Sequence, residues 1–139
     1  VGCRLWDPPD APWADEKAGK IYKREVERFR LSCEAAEKER ANAPARRILA
    51  LIHYPTRYAD GRETEVVPMM EQLGVQSCIY GHLHTAKHHK FGFQGLHGGV
   101  RYALTAVDAI DFRPVEVLDS GEVVPVPDGG GPTDDAALR

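Results

Sequence analysis

Two histidines separated by one residue, in Tyr80-Gly81-His82-Leu83-His84-Thr85, form the segment of this chain best suited to chemistry. Neutral imidazole is a common ligand for zinc, iron and related divalent cations. Residues two apart project to the same side where the backbone is extended. Gly81 ahead of them allows a sharp exit from a strand. A third histidine, His53, is followed by Tyr54-Pro55. Taken alone, H-x-H equally describes two loop histidines touching water, and a single histidine at a strand end is more often structural. Three that converge point to a metal.

Convergence depends on the elements that carry them. Residues 48–52 (Ile-Leu-Ala-Leu-Ile) form a continuous apolar run, the pattern of a strand covered on both faces. His53 closes it. Residues 75–80 predict a second strand, which ends at the Gly81–His84 turn. A short helix lies between them, with Thr64 as its cap, Pro68 in its first turns and Gly74 as its left-handed stop. If the two strands are parallel neighbours, both histidine segments sit at carboxyl ends, where open α/β sheets collect ligands. Upstream, residues 1–5 predict the end of a strand and residues 6–13 a proline-rich loop. Residues 15–41 predict an amphipathic helix with the stripe Tyr22, Val26, Phe29, Cys33 and Ala36, and with Glu34–Lys38 as an i,i+4 pair. Asn42 and Pro44 end it. Downstream, residues 91–93 and 100–107 flank the turn His97-Gly98-Gly99. Residues 114–118 and 122–126 flank Asp119-Ser120-Gly121 as a second hairpin. The whole is a mixed α/β layered domain.

Several other residues have two readings. Lys87-His88-His89-Lys90 fits a solvated loop better than a contact to an anionic substrate. Arg57 fits a surface arginine better than a phosphate ligand. His97, in a turn, reads as structural. Asp108 fits equally an ordinary strand-end aspartate and a group that orients a ligand histidine. Trp6 and Trp13 fit core cover better than a cleft lining.

Composition narrows the function classes. The 42% hydrophobic and 28% charged residues are those of an ordinary globular domain. Net charge is −3, and the bases of residues 17–47 alternate with acids, so no nucleic-acid patch is expected. Cys3, Cys33 and Cys78 are widely spaced, without a C-x-x-C pair; this argues against a disulfide framework or thiolate zinc and fits a reducing, cytoplasmic setting. No apolar run is long enough to cross a bilayer, so no membrane partner is expected. The opening Val1-Gly2-Cys3 lacks both methionine and a signal-peptide pattern, which fits a processed start or a piece of a longer protein.

The segment His53-Tyr54-Pro55, followed about thirty residues later by Gly81-His82-Leu83-His84, resembles the last two signature blocks of the calcineurin-like metallophosphoesterases. Gly2-x-Arg4, residues 20–25 (Lys-Ile-Tyr-Lys-Arg-Glu) and Asp108 with Phe112-Arg113-Pro114 are similar to a bacterial subgroup described as predicted phosphohydrolases. The resemblance covers residues 1–117. It implies a four-layer αββα sandwich with mixed sheets, of which residues 1–126 form the C-terminal portion; residues 127–139 are expected to be a disordered tail. It implies two divalent metal ions (manganese, iron or zinc), with His53 and His82 on one and His84 on the other. The implied reaction is hydrolysis of a phosphate mono- or diester by a metal-bound hydroxide. The family's three earlier blocks, D-x-H, G-D-x-x-D and G-N-H-D/E, do not occur in this sequence. The expectation is therefore a fragment, inactive alone, of a longer phosphoesterase. The alternative is a non-catalytic module of the same fold that binds one metal or a partner.

Overall fold

The computed structural model describes residues 1–11, 14 and 16–126. The expectations for Trp13 and for the tail at 127–139 lie outside the described residues. The chain runs β1 (Gly2–Cys3), α1 (Glu16–Asn42), β2 (Leu49–Ile52), α2 (Val66–Leu73), β3 (Ser77–Tyr80), α3 (Ala86–His89), β4 (Gly95–His97), β5 (Val100–Leu104), β6 (Val115–Val117) and β7 (Val123–Pro125). Five strands make one mixed sheet in the order β1-β2-β3-β5-β4; β6 and β7 pair separately as an antiparallel hairpin. β1, β2, β3 and β5 are parallel, and β4 runs antiparallel to β5. β2 and β3 are parallel neighbours, which meets the condition for a common rim, and are in register from Leu49↔Ser77 to Ile52↔Tyr80.

Strand alternation decides which side chains enter the core. Ala50, Ile52, Cys78, Tyr80, Tyr102 and Leu104 share one face and are all buried. α1 packs there with Tyr22, Val26 and Phe29, and α2 with Val66, Val67, Met70 and Leu73. The helices also meet each other, where the Glu65 backbone N–H donates to the Tyr22 hydroxyl at 3.1 Å. Gly74, with φ 71°, ends α2 as expected. α2 begins differently: Thr64 is buried and its hydroxyl donates to the Thr56 carbonyl, so no side chain caps the helix. In α1, Glu34 pairs with Arg30 rather than Lys38.

The opposite face of the sheet corrects the expectation that residues 48–52 are covered on both sides. Leu51 is 60% exposed, Leu96 on β4 is 62% exposed, and Ile79 and Ala103 between them are half-buried. Both helices lie on the other side. The β6–β7 turn covers just the amino-terminal end of this face, where the Ser77 hydroxyl donates to the Gly121 carbonyl at 2.6 Å.

The β4–β5 hairpin turns at Gly98 and Gly99, with φ of 55° and 80°, and His97 belongs to β4 rather than to the turn. The first strand therefore sits at 95–97, not at 91–93. No helix among the described residues is long and apolar enough to cross a membrane.

The asymmetry between the two faces can be measured. Leu51→Ala should change stability by about 0.5 kcal/mol or less, as a surface substitution does. Its neighbour Ile52→Ala should cost about 2–5 kcal/mol. Urea unfolding of the two variants checks this; equal costs would mean that Leu51 is covered in solution.

Candidate functional site

The parallel strands end at one rim. Their ladder continues one step past the strands: Tyr54 N–H donates to Arg4 O at 3.1 Å, Gly81 N–H to His53 O at 3.1 Å, and Thr105 N–H to Tyr80 O at 2.7 Å. Beyond those bonds the backbone is unusual. Among the described residues, five that are not glycine have positive φ: Leu5, His82, Thr85, Asp111 and Phe112. All five lie in loops that leave the carboxyl ends of β1, β3 and β5. Such conformations cost about 1–3 kcal/mol each and collect at working sites.

His82 is the centre of this strain. Its φ is 67°, and Leu83 N–H donates to Gly81 O at 2.8 Å across it. That is a three-residue γ-turn of the rarer, strained hand. Gly81 itself has no positive φ, so the sharp turn falls on the histidine and not on the glycine before it. The extended-backbone argument for His82 and His84 fails for the same reason.

The turn brings His82 to His53. Their Nδ1 and Nε2 atoms lie 3.4 Å apart, with ring centroids separated by 5.2 Å. Tyr54 stacks on His82 at 3.8 Å and is itself backed by Trp6 at 5.1 Å; the Arg4 guanidinium lies 4.1 Å above Trp6. Trp6 is thus half-buried at the rim and braces the site while touching the core edge. Burial, and then the nearby His53, hold the His82 proton affinity below the usual imidazole range; Asp7 partly opposes them. The shift favours the neutral imidazole, the form that can offer a lone pair.

His84 is turned differently. Its Nδ1 lies 2.8 Å from Asp108 Oδ1, and its Nε2 has no partner among the described residues. Asp108 Oδ2 accepts the Thr85 N–H at 2.5 Å and meets His89 Nε2 at 3.1 Å. The Thr85 amide above all, then His84 and His89, hold the Asp108 carboxyl well below the usual carboxylate range. Asp108 thus holds the His84 ring, the contact that the orienting reading calls for. Thr85, with φ 71° and ψ 145°, occupies a region that is nearly glycine's alone, and Asp108 fastens it there.

The structure brings His53 and His82 together. It sets His84 on the same cleft as His82, engaged with Asp108. No three His, Cys, Asp or Glu side chains among the described residues form a ready cluster for one ion. The 87–90 segment is solvated at Lys87, His88 and Lys90, as expected, but its first three residues belong to the short helix α3 rather than to a loop, with His88 Nδ1 2.9 Å from the His84 carbonyl and His89 on Asp108. Arg57 is neither a surface arginine nor a rim residue: it is 13% exposed, paired with Glu63 and stacked 5.0 Å from Phe93. His97 also meets Glu63, at 3.2 Å, in keeping with a structural role. Tyr54 and Asp7 are contributors that spacing did not reveal. Comparison with family models, curated proteins and solved structures returns no match to this chain.

Two substitutions test this architecture. Thr85→Gly should relieve strain and raise stability by about 1 kcal/mol in a urea melt. Gly92→Ala should cost about 1–3 kcal/mol, because a Cβ there would fall 2.3 Å from the Tyr80 hydroxyl and 2.9 Å from a Leu83 methyl carbon.

Proposed function

We propose that this chain carries the histidine part of a metal-dependent phosphoesterase of the calcineurin-like kind. The observation that supports it is the pairing of His53 Nε2 with His82 Nδ1 at 3.4 Å. Two imidazoles on one tetrahedral zinc, with bonds of about 2.0–2.1 Å, place their nitrogens about 3.3 Å apart. The donor set therefore fits one divalent ion held by His53 and His82. His84, steadied through its Nδ1, has Nε2 to offer to a second.

The same donor set does not by itself fit a pair of ions. Two dications about 4 Å apart repel by roughly 16 kcal/mol at an effective dielectric of 20. Neutral imidazoles supply none of the negative charge that offsets this. On this proposal, carboxylates from a further segment of a longer protein complete a dinuclear centre, within a two-sheet sandwich whose second layer covers Leu51 and Leu96. Manganese, iron or zinc bound there would activate water and steady the phosphoryl oxygens of a mono- or diester. His53, His82 and His84 hold and orient; Asp108 keeps the His84 ring in one tautomer. The cytoplasmic placement belongs to the same proposal.

Cobalt(II) titration of this chain, followed by its visible absorption, tests the core of the reading. One ion should bind, and His53→Ala or His82→Ala should each weaken it more than about 100-fold. Zinc at a hundredfold its Kd should add about 2.7 kcal/mol of stability, and a chelator should remove it. Undiminished uptake by both variants would overturn the assignment. One-ion binding combined with a preceding coding sequence that lacks D-x-H and G-N-H blocks would favour the non-catalytic module instead.

A further inference from the structure

A cleft of about 790 Å³ is lined by His82 and His84, by residues of the 55–62 loop, and by His88, Lys90 and Phe91 at the end of α3. That volume lies within the range of small-molecule sites and is far more than a phosphate alone needs. Its apolar lining includes Leu83, the buried ring of Tyr58, and Phe91, which is 48% exposed. An exposed phenyl ring beside a cluster of polar rim residues gains nothing from water. Lys90 reaches over it, with Nζ 5.8 Å from the Phe91 centroid, and no salt bridge joins Lys90 to a carboxylate among the described residues. The facing wall is electrically quiet, because Arg62 is paired with Asp60 at 2.9 Å. Asp7, on the rim, discourages an anion at its own edge and leaves the Lys90 side as the favourable one.

We infer that this cleft receives the organic part of the substrate, and that this part is a flat ring joined to a phosphate, an aryl or nucleoside phosphoester rather than a bare sugar phosphate. The ring lies against Phe91 and Leu83. The phosphate sits between Lys90 and the histidine rim. The inference depends on the phosphoesterase reading for the fate of the phosphate; the ring site stands without any metal.

Calorimetric titration of the full chain in a chelator, with the Leu83 methyl signals followed by NMR, provides the test. The probes are phenyl phosphate, adenosine 5′-monophosphate, adenosine and ribose 5-phosphate. The two ring-bearing phosphates should bind at least about tenfold tighter than ribose 5-phosphate and should shift Leu83. Phe91→Ala should erase that advantage and leave ribose 5-phosphate unchanged. Lys90→Gln should weaken both ring-bearing phosphates several-fold and leave adenosine unaffected. Tighter binding of phenyl phosphate or of the nucleotide tells a simple aryl ester from a nucleoside ester. Ribose 5-phosphate binding as well as the nucleotide, an indifferent Phe91→Ala, or no binding of any ring probe would overturn the inference. Because these titrations exclude metal, the cobalt result stands or falls separately.

Discussion

Everything at the rim depends on one constrained turn. His82 adopts a backbone conformation that side-chain-bearing residues rarely accept, and so its imidazole meets His53. The strain must be offset locally. The Gly81 amide is fixed to His53 O and the Leu83 amide to Gly81 O, Tyr54 stacks on the imidazole, and Asp108 fastens the strained Thr85 three residues on. Each contact is modest; a hydrogen bond to a charged group contributes about 1.5–3 kcal/mol. Together they over-determine a five-residue segment that would otherwise relax to an extended exit and separate the two rings.

The scaffold beneath that turn explains why it can be held. Cys78, Tyr80 and Tyr102 are almost fully buried on the central strands, and desolvation pushes the Cys78 thiol up to about 12 and both phenols above their usual range. These groups are neutral packing elements. Tyr80 does a second job: its hydroxyl donates to the Phe93 carbonyl at 2.7 Å and so ties the 91–93 loop, the edge of the cleft, to the strand that ends at the histidine turn. Gly92 lies so close to that hydroxyl that no side chain fits between them. The cleft and the rim are thus fixed to the same strand.

Much of this was legible in the sequence. The strand–helix–strand unit β2–α2–β3 followed from an apolar run and the stop at Gly74, and its parallel pairing, only a condition in the sequence, puts His53 and His82 at neighbouring strand ends. The left-handed stop at Gly74 and the β6–β7 hairpin were equally plain, because glycine-bearing turns are local chemistry. What escaped the sequence was whatever depends on tertiary packing. A five-residue apolar run does not reveal whether one or both faces are covered, and Leu51 shows that one is not. A glycine beside two histidines invites the turn to be placed on the glycine, whereas the fold places it on His82. Thr64 has the chemistry of a cap but spends its hydroxyl on Thr56. Asp108 lies 24 residues from His84, and nothing local distinguishes it from any aspartate after a strand.

Two features of the described residues look like omissions. One is chemical: the rim gathers neutral donors, with Asp108 already engaged by Thr85, His84 and His89. The other is structural: Leu51 and Leu96 leave apolar surface open on the face of the sheet away from the helices, and the hairpin of β6 and β7 pairs with no further strand among the described residues. A two-stranded hairpin is marginal without further pairing, and an exposed apolar patch marks a surface meant to be covered. A further layer packed on that face would end at the same rim, because the strands that carry Leu51 and Ile79 lead directly into His53 and Gly81. Carboxylates at the ends of such a layer would face the imidazoles without crossing the core. Burial of the open face and neutralisation of a second cation would then be met by one and the same addition, as the proposed phosphoesterase reading requires.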